Sequence, residues 1–307
     1  MIKRPKIGLA LGGGGARGLA HIGVLKVFNR ENIPIDILTG SSAGAIISSM
    51  YAQYEDSDFI EEKVRKFIES PDFESIGVDQ FVEEHQSENI LSQIAEDIKE
   101  RLVINIALRR KSIGSNKQYK KAISFLLNEG DISETKKKLG IVACDIVKGD
   151  SVLFTSGDIQ KVTLASSSVP GYLPPVMYDS YTLIDGAVLS PIPILEAYKM
   201  GADIVIGIDV MPDLVVKSDQ HNILDIIMRE SQMLGVKYSQ LLNTKADYIV
   251  RPDVGRFHWA DFREYDYLIK AGEKIAQQKL REIESIITKK HFIKKKIYGW
   301  VTGSRDL

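Results

Sequence analysis

The chain has 307 residues, of which 44% are hydrophobic and 26% charged, and its formal net charge is -1. This balance allows a sizeable core, while the small net charge gives no general attraction to nucleic acid or to an anionic membrane. The single cysteine, Cys144, excludes an internal disulfide and a cysteine metal site, and its apolar surroundings predict a buried structural thiol. Since no stretch approaches about 18 unbroken apolar residues, we expect no membrane-spanning helix.

The first part of the chain predicts a parallel sheet. Residues 6–12 have the composition of a short buried strand, and a glycine-rich turn and a helix over about 16–30 follow. Residues 35–41 predict a second strand, which runs through a tight turn into the helix AGAIISSMYAQY. Two successive strand–turn–helix units are typical of parallel strands joined by right-handed crossovers.

Residues 55–130 interrupt this pattern. Residues 55–100 hold 15 acidic and 4 basic side chains, a local net charge of -11 (4 − 15), and basic residues cluster afterwards from 109 to 121. An aliphatic residue recurs every four positions, which is typical of a helix with one apolar face. That stripe consists of Ile90, Ile94, Ile98, Leu102 and Ile106. We therefore predict a helical insertion that caps one end of the sheet.

The strand pattern then resumes and continues to residue 253. We place strands at 139–147, 151–157, 181–187, 202–210 and 246–253, and helices at about 191–200, 221–242 and 264–288. No repeat or linker requires a second domain. We expect one domain over 1–307, with a core of about 6–250, a cap of about 55–130 and a C-terminal helix and basic tail of about 264–307.

The segment Gly40-Ser41-Ser42-Ala43-Gly44 fits the G-x-S-x-G nucleophile elbow. It lies between an apolar strand and a helix, which is the context that the elbow requires. Ser42 is then the nucleophile, and the Ala43 amide faces the substrate oxyanion. Ser41 is one position off and should point away. The alternative is an ordinary serine-rich helix cap.

A second glycine-rich turn, Gly12 to Gly18, has two interpretations. Gly13-x-Gly15-x-x-Gly18 matches a dinucleotide fingerprint, but that fingerprint needs an acid at the end of the next strand, and Asp36 lies at its start. The other interpretation is an oxyanion hole that faces Ser42, since turns after successive parallel strands lie at the same edge of the sheet.

Asp185 is the preferred base for Ser42. It follows the residues YTLI of the predicted strand at 181–187, and Gly186 allows the chain to turn there. A plain Asp-Gly turn is the alternative. Among the histidines, His21 is expected to pack inside the first helix, and His258 remains a weaker candidate for a third member of the site.

Taken together, GGGGARG, GSSAG and DGA resemble, in this order, the motifs of the patatin-like phospholipases. Residues 165–176, ASSSVPGYLPPV, are similar to a further segment of that family. Residues 143–157 resemble a strand pair of its bacterial members, with Cys144 in place of a threonine. The resemblance covers about residues 6–210 and is weakest across 55–130.

The resemblance implies a three-layer α/β/α fold with a mostly parallel sheet, and hydrolysis of acyl esters by a Ser42–Asp185 dyad without histidine. It also implies an oxyanion loop, in which Arg17 either binds a lipid phosphate or braces the loop. The implied oxyanion residues are Gly13, Gly14, Gly15, Ala16, Arg17, Gly18 and Ala43, and the remaining motif residues are Gly40, Gly44, Gly186 and Ala187. No cofactor and no metal are expected.

The expected partner is a phospholipid or another acyl-ester lipid, and no nucleic acid. The lysines and aromatics of residues 289–301 suit either a membrane interface or a solvated tail. We expect a cytoplasmic protein, and leave open both peripheral contact with the inner membrane face and a homodimer.

Two other function classes are consistent with parts of the sequence. A malonyl-transferase-like enzyme also uses a G-x-S-x-G elbow, but with a histidine base and an arginine for a carboxylate. A non-catalytic lipid-binding module would keep the fold with an inactive site. No histidine here has the place of the transferase base, and intact Ser42 and Asp185 argue against an inactive site, which a fluorophosphonate would fail to label.

Overall fold

The computed structural model describes residues 4–77, 116–212 and 223–302. The strands are β1 (Ile7–Leu11), β2 (Ile37–Ser41), β3 (Lys138–Asp145), β4 (Asp150–Phe154), β5 (Val176–Tyr178), β6 (Tyr181–Asp185), β7 (Ile204–Ile208) and β8 (Tyr248–Val250). The α-helices are α1 (Ala20–Arg30), α2 (Ala43–Tyr54), α3 (Ser57–Ile68), α4 (Pro71–Glu74), α5 (Asn116–Leu126), α6 (Ile159–Ser166), α7 (Ile194–Lys199), α8 (Ile223–Asn243) and α9 (Tyr265–Thr302).

The described strands form one mixed sheet in the order β5-β6-β3-β2-β1-β7-β8, with β4 paired to β3. The five strands β3, β2, β1, β7 and β8 run parallel, whereas β4 and β6 pair with β3 in the antiparallel direction. β3 is the branch point, because it pairs with β2, β4 and β6. The prediction of a mostly parallel sheet is confirmed.

Apolar side chains cover both faces of the sheet, as expected for strands buried between helices. The larger core joins the sheet to α1, α2, α3 and α9, with Phe28 and Met50 among its fully buried side chains. A smaller core lies on the other face, where Ala10 and Val205 contact Ile194 and Ala197 of α7. The chain therefore forms the three-layer α/β/α arrangement that the resemblance implied.

Several boundaries differ from the sequence predictions. The first helix begins as a 3-10 turn at Gly15–Leu19, the last strand is only three residues long, and α9 continues to Thr302. The short strand β5 and the helix α6 were not predicted. The cap is helical where it is described, in α3, α4 and α5; the aliphatic stripe at 90–106 lies outside the described residues.

Cys144 is buried in β3, and burial raises the pKa of its thiol, as expected for a structural cysteine. Within the described ranges, every helix is too short or too polar to cross a lipid bilayer.

Candidate active site

Ser42 lies in a strained turn between β2 and α2. Its backbone has φ 54° and ψ -126°, a conformation that costs a residue other than glycine about 1–3 kcal/mol. The flanking glycines permit the bend. A Cβ on Gly40 would lie 2.4 Å from the Gly44 carbonyl oxygen, and a Cβ on Gly44 would lie 2.1 Å from the Leu11 carbonyl oxygen. The turn therefore has the geometry of a nucleophile elbow.

The register of the sheet brings Asp185 to Ser42. On β3, Val142 pairs with Ser41 of β2, and the next residue, Ala143, pairs with Asp185 of β6. The Ser42 hydroxyl consequently donates a hydrogen bond of 2.5 Å to Oδ2 of Asp185. Residues 143 positions apart in the chain thus form a direct pair.

Asp185 is held in an ordered and dry environment. Its second carboxylate oxygen, Oδ1, accepts the Ala187 amide at 2.8 Å, and its side chain is almost fully buried. Burial raises the pKa of Asp185 to about 6, while the hydrogen bonds from Ser42 and Ala187 partly oppose that rise. A carboxylate with this pKa accepts a proton more readily near neutral pH than an exposed one does.

The glycine-rich turn lies against the nucleophile, at the carboxyl edge of β1. A Cβ on Gly13 would lie 3.1 Å from the Ser42 Cβ, and one on Gly18 would lie 2.6 Å from the Ala43 Cβ. Only glycine allows the turn to approach Ser42 this closely.

Two amides of this turn are already occupied. The Gly13 amide donates to the Pro191 carbonyl at 2.9 Å, and the Ala16 amide donates to the Trp259 carbonyl at 2.7 Å. Neither is therefore free for an oxyanion. Among the described residues, the amides of Gly14, Gly15 and Ala43 donate no hydrogen bond outside their own helices, so these three are the candidate donors. The amides of Arg17 and Gly18 lie inside the 3-10 turn Gly15–Leu19.

The side chains of Arg17 and His21 hold the glycine-rich turn through hydrogen bonds to its carbonyl groups. The Arg17 guanidinium donates to the Gly14 carbonyl at 3.2 Å, and desolvation lowers its pKa to about 10, so it stays charged at neutral pH. Of the two roles considered for Arg17, the contacts favour bracing. His21 is fully buried, its Nε2 bonds the Gly12 carbonyl at 2.8 Å, and burial lowers its pKa to about 4. The packing role predicted for His21 is confirmed.

The dinucleotide interpretation of the glycine turn is wrong. Asp36 lies opposite Ile7 at the amino edge of the strands, away from the turn. Its carboxylate accepts two hydrogen bonds from Arg4 and one from the Ile7 amide. No ribose at the glycine turn could reach it.

The other candidates have different partners. The Ser41 hydroxyl donates to the Pro191 carbonyl at 3.3 Å, which confirms that it points away from the dyad. His258 donates its own amide to Asp261 and accepts the Ala260 amide at Nδ1, so these contacts stay within its loop. The hydrogen bond that the Ser42 hydroxyl donates is to Asp185.

An apolar cavity opens beside Ser42. Its volume is about 110 Å³, several times what one buried water requires, and its walls carry few polar atoms. The cap helices α3, α4 and α5 form one side of it. Side chains from these helices that line it are Val64, Phe67, Ile68, Phe73, Ala122 and Ile123. Such a cavity suits a hydrocarbon chain.

Sequence reasoning missed three parts of the site. The Ser42 amide is bound by Ser166, the Asp185 amide is bound by Ser168, and Tyr119 of α5 lines the cavity. Ser166 and Ser168 lie in the sequence ASSSVPGYLPPV, to which no role in the site was assigned. Their place in the family-like segment 165–176 was the available signal; Tyr119 carried none.

The patatin-like phospholipase family model matches residues 9–198, which is more than half of the chain. The patatin-like phospholipase domain-containing protein ZK370.4 of Caenorhabditis elegans is 29% identical over 206 residues, covering 66% of this chain and 13% of the relative. Patatin-like phospholipase domain-containing protein 6 of Homo sapiens is 27% identical over 206 residues, again 66% of this chain and 13% of the relative. Lysophospholipase NTE1 of Candida albicans is 24% identical over 301 residues, 90% of this chain and 20% of the relative.

The chain thus spans about a fifth or less of the length of these three relatives. Among solved structures, VipD from Legionella pneumophila aligns with a TM-score of 0.44 and 12% identity, over 91% of this chain and 67% of that chain. The family match covers the glycine turn, the elbow and Asp185 in one alignment. The chain belongs to the patatin-like phospholipase family.

Proposed function

We propose that this protein hydrolyses acyl esters of phospholipids or related lipids through a Ser42–Asp185 dyad. The hydrogen bond of 2.5 Å from the Ser42 hydroxyl to a buried carboxylate carries the proposal. Family membership and the lysophospholipase relative support ester hydrolysis in general.

In the first half of the reaction, the Ser42 Oγ attacks the ester carbonyl carbon while its proton passes to Asp185. The carbonyl oxygen gains the electron pair and becomes an oxyanion. When the tetrahedral intermediate collapses, the alcohol leaves with the proton from Asp185, and the acyl group remains on Ser42. Water then attacks the acyl-enzyme and gives a proton to Asp185, which returns it to Ser42 as the fatty acid departs.

The amides of Gly14, Gly15 and Ala43 are the proposed oxyanion donors. Ala43 is the first residue of α2, where the helix dipole favours negative charge. An oxyanion donor typically contributes about 10²–10³ in rate. The His21 and Arg17 contacts to the Gly12 and Gly14 carbonyls would keep this turn in place before the substrate arrives.

The apolar cavity is the proposed site for the acyl chain, since Ser42 lies on its wall. The ester carbonyl would lie at Ser42, with the hydrocarbon chain between the cap helices.

The hydrogen bond that Asp185 accepts from Ser42 argues against a malonyl-transferase-like site, which would use a histidine base. A cytoplasmic location, peripheral membrane contact and a homodimer remain predictions, as do the roles of the cap and of the basic tail.

The test compares wild type with Ser42→Ala and Asp185→Asn on a panel of phospholipids and on a short p-nitrophenyl ester. Each substitution is expected to abolish turnover, because one removes the nucleophile and the other the base. Ser41→Ala is the matched control: it deletes a neighbouring buried hydroxyl that bonds Pro191, and it should retain activity. Wild-type rates in either dyad variant would reject the mechanism, and a dead site in the wild type would support a non-catalytic module.

A further inference from the structure

The segment Ser166–Ser168 contacts both members of the dyad. The Ser42 amide is shared between the carbonyl oxygen and the hydroxyl oxygen of Ser166, each at 3.1 Å. The Asp185 amide donates to the Ser168 carbonyl at 2.9 Å. One short segment at the end of α6 therefore holds the backbones of both the nucleophile and the base.

The Ser166 hydroxyl also donates a hydrogen bond of 2.6 Å to the Val142 carbonyl of β3. The Ser166 hydroxyl thus accepts a hydrogen bond from the Ser42 amide and donates one to β3, the strand that pairs with Asp185. Ser166 is completely buried, so water does not compete for either bond, and hydrogen bonds in such surroundings are stronger than exposed ones.

Ser42 needs such support because its backbone is strained. A residue in a sparsely populated conformation persists only when its surroundings determine it. The hydrogen bond from the Ser42 amide is a direct restraint on the residue with φ 54°.

We propose that Ser166 is a positioning residue for the dyad, whose hydroxyl fixes the turn of Ser42 against β3 and so sets the separation of Ser42 and Asp185. Its effect on turnover rests on the proposed function; its effect on the geometry of the dyad does not.

The substitution Ser166→Ala removes one acceptor of the Ser42 amide and the hydroxyl that donates to the Val142 carbonyl. The turn can then relax, and the hydrogen bond from Ser42 to Asp185 weakens. Since that hydrogen bond lowers the pKa of Asp185, its loss should raise the pKa above the wild-type value of about 6. A displacement of about 1 Å at a catalytic group can cost about 10²-fold in rate.

Ser49→Ala is the matched control. Ser49 is also completely buried, and its hydroxyl joins α2 to α6 through Thr163 at 3.1 Å, without touching the dyad. The Ser49→Ala variant should lose about as much thermal stability as the Ser166→Ala variant. Ser166→Cys is the second variant, because a thiol keeps nearly the same size but is a weaker donor and acceptor.

Two readouts separate positioning from a loss of folding: kcat and KM on a p-nitrophenyl ester, and the titration of the Asp185 carboxyl carbon by NMR. We expect Ser166→Ala to lower kcat by up to about 10²-fold with little change in KM, and to move the Asp185 titration to higher pH. Ser166→Cys should shift the Asp185 titration less than Ser166→Ala does. Ser49→Ala should change neither kcat nor the Asp185 titration.

The proposal is overturned if Asp185 titrates at the wild-type pH in the folded Ser166 variants, or if Ser49→Ala produces the same shift. A wild type without esterase activity would instead refute the proposed function. Because the NMR titration needs no substrate, it still decides the role of Ser166 in that case.

Discussion

In the proposed dyad, burial is what would make the Asp185 carboxylate basic enough to serve Ser42. The ordinary pKa of an aspartate, 3.8, is raised to about 6, and desolvation is the largest cause. The hydrogen bonds from Ser42 and Ala187 keep that rise moderate, so the group is still ionised at neutral pH. The pKa of Asp185 is therefore high enough to make the carboxylate a better base and low enough to keep it ionised at neutral pH.

This balance predicts the pH dependence of the reaction. Below its pKa the carboxyl is protonated and cannot accept the Ser42 proton, so kcat/KM should fall as the pH falls through about 6 and level off above it. The measurement is kcat/KM on a p-nitrophenyl ester between pH 4 and pH 8. If kcat/KM falls only near the ordinary aspartate pKa of 3.8, burial does not raise the pKa of Asp185 as described. A limb that moves strongly with temperature would indicate an imidazole rather than a carboxyl group.

At the scale of single elements, the cap helices form one wall of the cavity beside Ser42. α5 supplies Ala122 and Ile123 to the cavity wall, on which Ser42 of the elbow also lies. Tyr119 of the same helix has a hydroxyl that hydrogen bonds to Ser167, and burial raises its pKa to about 12, so the phenol stays protonated. Among the described residues that line the cavity, none carries a charged side chain, and the wall is mostly apolar.

Enlarging Ala122 should change the chain-length preference. Ala122 is 3% exposed and lines the cavity, so Ala122→Leu would fill space that a long acyl chain needs. We expect kcat/KM to fall for a long-chain p-nitrophenyl ester and to stay unchanged for the acetate, at a stability cost of about 1–3 kcal/mol. The ratio of the two rates is the measurement.

Ala52→Leu serves as the control for that experiment. Ala52 is fully buried in α2 but does not line the cavity. It should lose similar stability without changing the ratio. An unchanged ratio in Ala122→Leu would show that the acyl chain binds elsewhere.

How far the sequence predicts the structure differs between these elements. The elbow and all strands except the three-residue β5 were predictable, because short apolar runs and a small-residue turn leave few alternatives. The contact of Ser42 with Asp185 was predictable only as a hypothesis, since it depends on adjacent pairings along β3. The occupied amides of Gly13 and Ala16 were not predictable, because their acceptors, Pro191 and Trp259, are remote in the chain.

At the scale of the whole molecule, the C-terminal third supports the glycine turn although it carries no recognisable motif. The Trp259 carbonyl accepts the Ala16 amide, and α9 packs along α1, which follows the turn directly. This part lies beyond residues 9–198, where the family match ends. Long-range packing of this kind has no local sequence signal.

The crossing of α1 and α9 depends on two glycines. A Cβ on Gly272 would lie 2.0 Å from the Ala20 carbonyl oxygen, and a Cβ on Gly23 would lie 2.0 Å from the Ile269 carbonyl oxygen. Each glycine thus lets its helix contact the backbone of the other, and neither helix can accept a methyl group at the crossing without moving.

Gly272→Ala should therefore destabilise the fold, although alanine is the better helix former. We expect a loss of about 1–3 kcal/mol in the free energy of unfolding from overpacking at the crossing. Gly235→Ala makes the same change within α8, where a Cβ meets nothing within 4 Å, so it should gain up to about 1 kcal/mol from helix propensity. Urea unfolding of the two variants beside the wild type measures both values. If Gly272→Ala raises the midpoint instead, as Gly235→Ala is expected to do, α1 and α9 do not cross as closely as described, and the support of the glycine turn by the last helix must be abandoned.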